Sequence, residues 1–557
     1  MRLICYFFLL HGWGGVLRKG KMPVHLCTSM EENVMKVLVS DPLSEEGVRK
    51  LETEMEVDVI TNLSPEELLE RIKDYDALAI RSGTKVTAEV IAAADKLKVI
   101  GRAGVGVDNV DIDAATKKGI IVVNTPGGNT ISAAEHTIAM ILSLARNIPQ
   151  ANGSLKSGEW NRKKYTGVEL YNKTLGIVGL GRIGAEIATR MKSFGMRILA
   201  YDPFVTEEKA ADLGIRLATL EEIYRESDFI TVHTPLTKET RDLIDEDEMK
   251  MMKPGVRLIN CARGGIVNEE ALARAVAEGR VAGAAVDVFT KEPPTDNPLL
   301  EQAGIIVTPH LGASTAEAQV NVAVAVAEQI LAVARGEMPP NALNMPAISA
   351  ETMAMMGPYM DLVEKMGRLA AQLGEEGYEK LEIVYGGTVA EKDVKPVTIS
   401  AVKGFLDALG YSANFVNSLV KLKECGIALT ESKTDSTNGY SNLVTLTLSG
   451  PKGSVSVYGT VYGKSEGRIV QINEYRVYVP TEGYMIMATH EDRPNIIGPC
   501  CVVLGEDEIN IGGMHVGRKP SGGEQIMVLN VDHPVSDETL KRLARVPGVS
   551  KAKMIIL

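Results

Sequence analysis

The 557-residue sequence predicts an α/β fold: two sets of parallel βα units, the second inserted into the first, followed by an α+β region and a βαββαβ unit. Three observations predict it. Short apolar runs alternate with capped amphipathic stretches from Met35 to about residue 335, the pattern of strands joined by helical crossovers. Hydrophobic residues make up 45% of the chain and aromatics only 5%, so the cores are built from Ala, Val, Ile, Leu and Met, which suits helix-covered parallel sheets. The length exceeds what one core supports and implies about three or four domains.

The first 34 residues stand apart. MRLICYFFLLHGWGG has an apolar run at 3–10 behind one arginine, far below the roughly 20 residues that span a bilayer. No small-x-small cleavage site follows, so the expectation is an over-extended start with the folded chain beginning at Met35. Strands are then expected at 36–40, 57–60, 77–80, 98–101 and 120–124. Between them Ser64 and Glu67 make a capping box, and Thr87 to Ala94 is amphipathic. A long helix, 131–146, precedes the basic loop Trp160-Asn161-Arg162-Lys163-Lys164-Tyr165. A second alternation follows, with strands near 174–178, 197–201, 228–233, 257–261, 283–288 and 305–308, and then an Ala-rich helix over 315–335. Two long helices flanking the second set imply that the chain leaves the first domain, builds the second and returns.

Met338-Pro339-Pro340-Asn341 to Pro346 reads as a linker. A helix over 352–373 leads into an α+β region ending near Pro480. From Tyr484 the order strand, helix, strand, strand, helix, strand is the ferredoxin-like pattern.

The formal net charge of -12 argues against nucleic acid or an anionic membrane as partner. The six cysteines show neither C-x-x-C nor metal-ligand spacing, which fits a reducing cytoplasm and no metal; Cys500 and Cys501 read as helix filler.

GLGRIG carries Gly179, Gly181 and Gly184 between an apolar strand and a helix, the context in which G-x-G-x-x-G reads as a dinucleotide site. Gly179 permits the tight turn, Gly181 the approach of a pyrophosphate and Gly184 close helix–strand packing, while the helix N-terminus offers N–H groups to phosphate. Asp202 ends the next strand, where a carboxylate accepts the ribose hydroxyls and repels a 2′-phosphate; NAD is favoured over NADP.

Moving a hydride from an alcohol carbon requires a base for the hydroxyl proton and a cation for the developing carbonyl oxygen. His310 follows the strand at 305–308, at the carboxyl end where open α/β sheets bind ligands, and an imidazole is the side chain suited to proton exchange near neutrality. Glu292 can hold the far ring nitrogen, and Arg263 offers a planar fork to a carboxylate. His136 and His233 read as structural, and Thr234, at another strand end, as lining the cofactor.

GRAGVGVDNVD, NTPGGN, TLGIVGLGRIG, YDP, VHTPLT, NCARGG, VDVFTKEPP and TPHLGAST together resemble the D-isomer-specific 2-hydroxyacid dehydrogenase family, over about residues 35–345. The resemblance implies a Rossmann NAD-binding domain (134–313) inserted in a discontinuous flavodoxin-like substrate domain (35–133 and 314–345). The C-terminal layout is similar to the long form, with an intervening domain of the allosteric substrate-binding type (346–483) and an ACT regulatory domain (484–557). It implies His310 as acid/base, Glu292 as its partner and Arg263 as the substrate-orienting arginine. Arg182, Ile183, Asp202, Thr234, Cys261, Asp287 and, through its backbone, Val105 are implied NAD contacts. Arg81, Ser82, Arg102 and Asn129 match substrate positions.

A phosphorylated substrate needs local basic charge, for which Arg81 and the Arg162-Lys163-Lys164 cluster are candidates, the cluster reaching a neighbouring subunit. The resemblance implies 3-phosphoglycerate as the substrate, oxidised at the start of serine biosynthesis, and a homotetramer. An effector, L-serine, is implied at His490, Asp492 and Asn510; where several relatives carry Asn, this chain has Asp492. Two alternatives stay open: a hydroxypyruvate, glyoxylate or lactate-type reductase, and a non-enzymatic NAD-sensing scaffold.

Overall fold

Short aliphatic runs become strands of four sheets in the computed structural model, which describes residues 34–346, 348, 350–375, 377–519 and 523–557. The expectation of an over-extended start falls on residues 1–33, outside those described. Met35–Leu557 forms one unit.

The first sheet contains β1 (Lys36–Val39), β2 (Glu56–Val59), β3 (Ala77–Ile80), β4 (Val99–Arg102) and β5 (Ile121–Asn124), all parallel in the order β2-β1-β3-β4-β5. The helix Ala316–Ala334 returns to cover one face, packing Val322, Val326, Ile330 and Leu331 against Val37, Val39 and Val99. By length and composition it is also the one helix among the described residues apolar enough to cross a membrane. Its buried contacts make it a core helix of this sheet.

The second sheet contains β6 (Thr174–Val178), β7 (Arg197–Tyr201), β8 (Arg216–Leu217), β9 (Phe229–Val232), β10 (Val256–Asn260), β11 (Val281–Val286) and β12 (Ile305–Val307). Its order, β12-β11-β10-β9-β6-β7-β8, is parallel throughout and doubly wound, with strand order reversing between β6 and β9. Gly179 follows β6 at that switch point. Two elements were not legible in the sequence. The two-residue β8 is too short to give a period. The helix Ile148–Lys156 begins where Asn147 turns left-handed (φ 54°) and buries none of its own residues, so no apolar stripe announces it.

The third sheet contains β13 (Lys380–Gly387), β14 (Ala428–Thr434), β15 (Asn442–Gly450), β16 (Gly453–Tyr462), β17 (Glu466–Ile472) and β18 (Tyr475–Pro480) in the order β14-β13-β15-β16-β17-β18. Under it lie the helices Ala350–Leu373 and Lys395–Ala408, whose backbones approach so closely that a Cβ on Gly404 would sit 1.9 Å from the Glu364 carbonyl oxygen. The fourth sheet contains β19 (Tyr484–Glu491), β20 (Ile511–Gly517), β21 (Glu524–Val531) and β22 (Val549–Ile556) in the antiparallel order β20-β21-β19-β22, the βαββαβ unit expected from the sequence. Met485, Ile526, Val528 and Ile555 on one of its faces join the core of the third sheet, and Cys500 is buried in the helix Ile497–Glu506 against the other.

Candidate active site

The glycine turn after β6 divides by function. Gly179 has φ +99°, and a Cβ there would lie 2.6 Å from the His233 carbonyl oxygen; at Gly184 it would lie 2.1 Å from the Gly179 oxygen. Both are glycines for the fold. Gly181 has φ -74° and a Cβ there would meet nothing within 4 Å, so its smallness leaves room for something outside the chain. It caps the helix Arg182–Lys192, whose first N–H groups have no side-chain acceptor. Arg182 is exposed and Ile183 half-buried.

Asp202 follows β7. Its oxygens accept the Leu180 and Phe204 N–H groups at 2.9 Å, which orients the carboxylate toward the glycine turn and leaves lone pairs for ribose hydroxyls. Across the switch point the buried Thr234 hydroxyl has no partner, an atom that a bound dinucleotide would satisfy. Cys261 follows β10; burial, then the Asp287 charge, push its thiol up to about 12, so it is neutral. His233 donates to or accepts from the Thr231 hydroxyl at 2.8 Å, and burial lowers it to about 3. The open cradle at Gly181, the Asp202 carboxylate and the unpartnered Thr234 fit an NAD molecule.

Arg263, Glu292 and His310 follow three adjacent strands, β10, β11 and β12, at their carboxyl ends. His310 Nδ1 lies 2.8 Å from Glu292 Oε2, and Glu292 Oε1 accepts the Phe289 N–H at 3.1 Å. An ionised glutamate only accepts, so Nδ1 carries hydrogen and Nε2 is left for proton exchange. Arg263 donates from Nη1 to the Ala262 carbonyl at 2.7 Å and from Nε to Asp108 at 3.2 Å. Asn260 braces the same turn, donating to the Arg263 carbonyl and accepting from the Ala262 N–H.

The first sheet contributes further cations. Arg102, at the end of β4, has an Nε with no partner; burial, then Arg263, push its guanidinium down to about 10, still charged at neutral pH. Arg81 follows β3, with its N–H on Asp41 at 2.6 Å. Asp41, which the sequence did not mark, also accepts the Thr84 N–H and hydroxyl and so shapes the Arg81-Ser82-Gly83-Thr84 turn. Ser82 is exposed, and the buried Asn129 Oδ1 has no partner. The Val105 carbonyl is taken by Asn124 Nδ2 at 2.6 Å.

Other expected residues lie elsewhere. Arg162 and Lys163 are exposed in the turn after the helix Ile148–Lys156, and among the described residues no hydrogen bond or ion pair joins them to Arg81, Arg102 or Arg263. Asp287 has no exposed surface; its carboxylate is turned toward the His310 loop. In the fourth sheet, His490 is buried with Nδ1 against the Glu491 carbonyl and Nε2 unpartnered, Asp492 pairs with Arg518 at 3.6 Å, and Asn510 donates to Asp532 at 2.8 Å. Among the described residues no cluster of His, Cys, Asp and Glu could hold a metal.

A doubly wound sheet with a dinucleotide cradle, and an arginine, a glutamate and a histidine on successive strand ends, bring together what a nicotinamide-dependent hydride transfer on a small carboxylate requires. Residues 138–312 match the family model for the D-isomer specific 2-hydroxyacid dehydrogenase, NAD binding domain, so NAD is the cofactor; residues 355–473 match the D-3-phosphoglycerate dehydrogenase intervening domain. The chain is 45% identical to the D-3-phosphoglycerate dehydrogenases of Methanocaldococcus jannaschii and Bacillus subtilis, each alignment covering 94% of this chain and 100% of the relative. The structure of D-lactate dehydrogenase from Aquifex aeolicus with NAD and lactic acid is 30% identical, with a TM-score of 0.51 over 56% of this chain and 99% of that one. The chain belongs to the D-3-phosphoglycerate dehydrogenase family.

Proposed function

We propose that this chain oxidises 3-phosphoglycerate to 3-phosphohydroxypyruvate with NAD, the first step of the phosphorylated route to L-serine. The observation that carries the reading is the 2.8 Å His310–Glu292 pair on the strand ends next to Arg263. Bound NAD supplies the hydride acceptor. His310 Nε2 takes the proton of the C2 hydroxyl, and Glu292 stabilises the imidazolium that results. Arg263 orients the substrate carboxylate and offsets charge on the carbonyl oxygen. Arg102, with an idle Nε, and Arg81 supply the positive charge a phosphorylated acid requires, and Ser82 and Asn129, whose Oδ1 is unpartnered, are proposed as further substrate contacts. Gly179, Gly181, Arg182, Ile183, Gly184, Asp202, Thr234, Cys261 and the Val105 backbone make up the cofactor side, with the buried Asp287 behind them holding the His310 loop.

Arg162 and Lys163 are proposed to act on a neighbouring subunit in a homotetramer, supported by their position in an exposed stretch, residues 155–164. Domain boundaries are proposed at 35–133 with 314–345, 134–313, 346–483 and 484–557, and the site of work is the cytoplasm. The last unit is proposed as an ACT domain in which His490, Asp492 and Asn510 take L-serine; the unpartnered His490 Nε2 supports this.

The test is NADH formation with 3-phosphoglycerate beside D-lactate and D-glycerate, with and without serine. Turnover confined to the phosphorylated acid supports the reading. Turnover of the unphosphorylated acids alone overturns the substrate, and no turnover overturns the enzyme.

A further inference from the structure

One helix grips the loop that carries His310. The loop Thr308–Gly312 holds His310 at φ +54°, a left-handed conformation uncommon for a residue with a side chain. Asp287 imposes it from below. Its carbonyl accepts the His310 N–H at 2.9 Å, Oδ1 accepts the Leu311 N–H at 2.7 Å and the Thr308 hydroxyl at 2.5 Å, and Oδ2 accepts the Gly312 N–H at 2.9 Å. The three side-chain bonds depend on where that carboxylate points.

His136 decides where it points. It stands on the helix Thr130–Arg146, with Nε2 3.2 Å from Asp287 Oδ1 and 3.3 Å from the Thr308 hydroxyl. The ionised carboxylate only accepts and the threonine hydroxyl already donates to it, so Nε2 carries the hydrogen. One turn earlier, Ser132 on the same helix face donates to the Gly312 carbonyl at 2.9 Å. The two residues hold both ends of the loop. The carboxyl of Asp287, despite its burial, is kept below the usual carboxylate range by His136, Thr308 and the Leu311 N–H, so the acceptor stays ionised.

We propose that His136 is a positioning residue of this enzyme: through Asp287 it fixes the loop that aims His310 Nε2 at the substrate hydroxyl. The proposal rests on the reading of His310 as the proton-transfer group.

Three variants of the full chain test it beside His310→Ala. His136→Gln keeps an N–H at the reach of Nε2; His136→Asn keeps the polarity but falls short; His136→Leu removes the donor. The expected pattern is a kcat roughly ten- to a hundredfold lower in the Leu and Asn variants, the scale of a misaimed catalytic group. KM for NAD and for 3-phosphoglycerate stays within about twofold, and His136→Gln recovers most of kcat. If His136→Leu does not fold, the Gln and Asn pair decides. A normal kcat in the Asn variant overturns the proposal, as does an equal loss in Gln and Asn or a loss shared by both KM values. Full turnover of His310→Ala overturns the reading of His310 itself; an inactive His310→Ala beside a normal His136→Asn overturns only the positioning role.

Discussion

Asp108 and Arg263 stand 155 positions apart in the sequence, yet an Asp108 carboxylate oxygen lies 3.2 Å from Arg263 Nε. One follows β4 and the other β10, so the pair joins the edges of two sheets that the chain builds separately. Gly106, two residues before Asp108, leaves the space: a Cβ there would sit 2.0 Å from Arg263 Nη2. The arginine that is to receive a substrate carboxylate thus already faces one from its own chain.

Replacing Asp108 by Asn isolates the charge. Asn retains an oxygen for Nε, and the Ala262 carbonyl still holds Nη1, so the guanidinium keeps its direction while a negative charge beside an anionic substrate is lost. Asp108 is 74% exposed, and exposed pairs are worth about 0.2–1 kcal/mol. KM for 3-phosphoglycerate should therefore fall by about two- to fivefold at low ionic strength, and the difference should shrink with added salt. Initial rates at two salt concentrations check this; a KM that rises, or a salt-independent change, contradicts it.

His310→Ala should lower kcat by roughly 10²–10⁴ while NAD binds normally, because the ring acts on a proton and not on the cofactor. Glu292→Gln should lower kcat by a comparable factor, up to roughly 10⁴, since an amide can turn its N–H toward Nδ1 and favour the wrong tautomer, and cannot offset the imidazolium charge. Cofactor titration by fluorescence, run beside steady-state rates, separates binding from turnover. Full turnover in the histidine variant removes it from the reaction.

The pH behaviour of substrate binding follows from Arg102. Burial and the neighbouring Arg263 bring its guanidinium down to about 10, so the cation is complete at neutral pH and is lost as pH rises through that value. KM for an anionic substrate should be flat between pH 7 and 9 and climb above about pH 10, and Arg102→Gln should begin at the raised KM and show no such climb. KM measured from pH 7 to 10.5 in both proteins tests this; parallel curves would detach Arg102 from the substrate.

What the sequence made legible is what repeats locally. Central aliphatic runs such as β3 and β6 gave strands because a parallel strand is buried there on both faces, and the helix caps at Ser64 and Thr87 are one-residue signals. Glu292 and His310 were legible because turn residues and strand ends mark them. Asp41, Asp108 and the role of His136 were not. Each is a single polar residue whose partner is fixed by strand order, and strand order has no local period. The Ile148–Lys156 helix was hidden for the converse reason: it buries none of its own residues, so it carries no apolar stripe.

Asp202 and Gly181 test the cofactor side in different ways. Asp202→Ala should relax the preference for NAD over NADP, but it also frees the Leu180 and Phe204 N–H groups, so a weaker binding of both cofactors is part of the expectation. Gly181→Ala is cleaner. Its φ of -74° suits any residue, and a Cβ would meet nothing within 4 Å, so the substitution costs the apo fold almost nothing. The same methyl group would stand in the cradle where a pyrophosphate must approach the helix N-terminus. Thermal unfolding without cofactor should thus match the parent chain within about a degree, because surface substitutions of this kind stay within ~0.5 kcal/mol. NAD affinity should drop by a hundredfold or more, about 2.7 kcal/mol. Gly184→Ala, which drives a Cβ to 2.1 Å from the Gly179 oxygen, should instead destabilise the apo chain. Unchanged NAD affinity in Gly181→Ala would mean that the glycine turn is there for the fold alone and that the dinucleotide sits elsewhere.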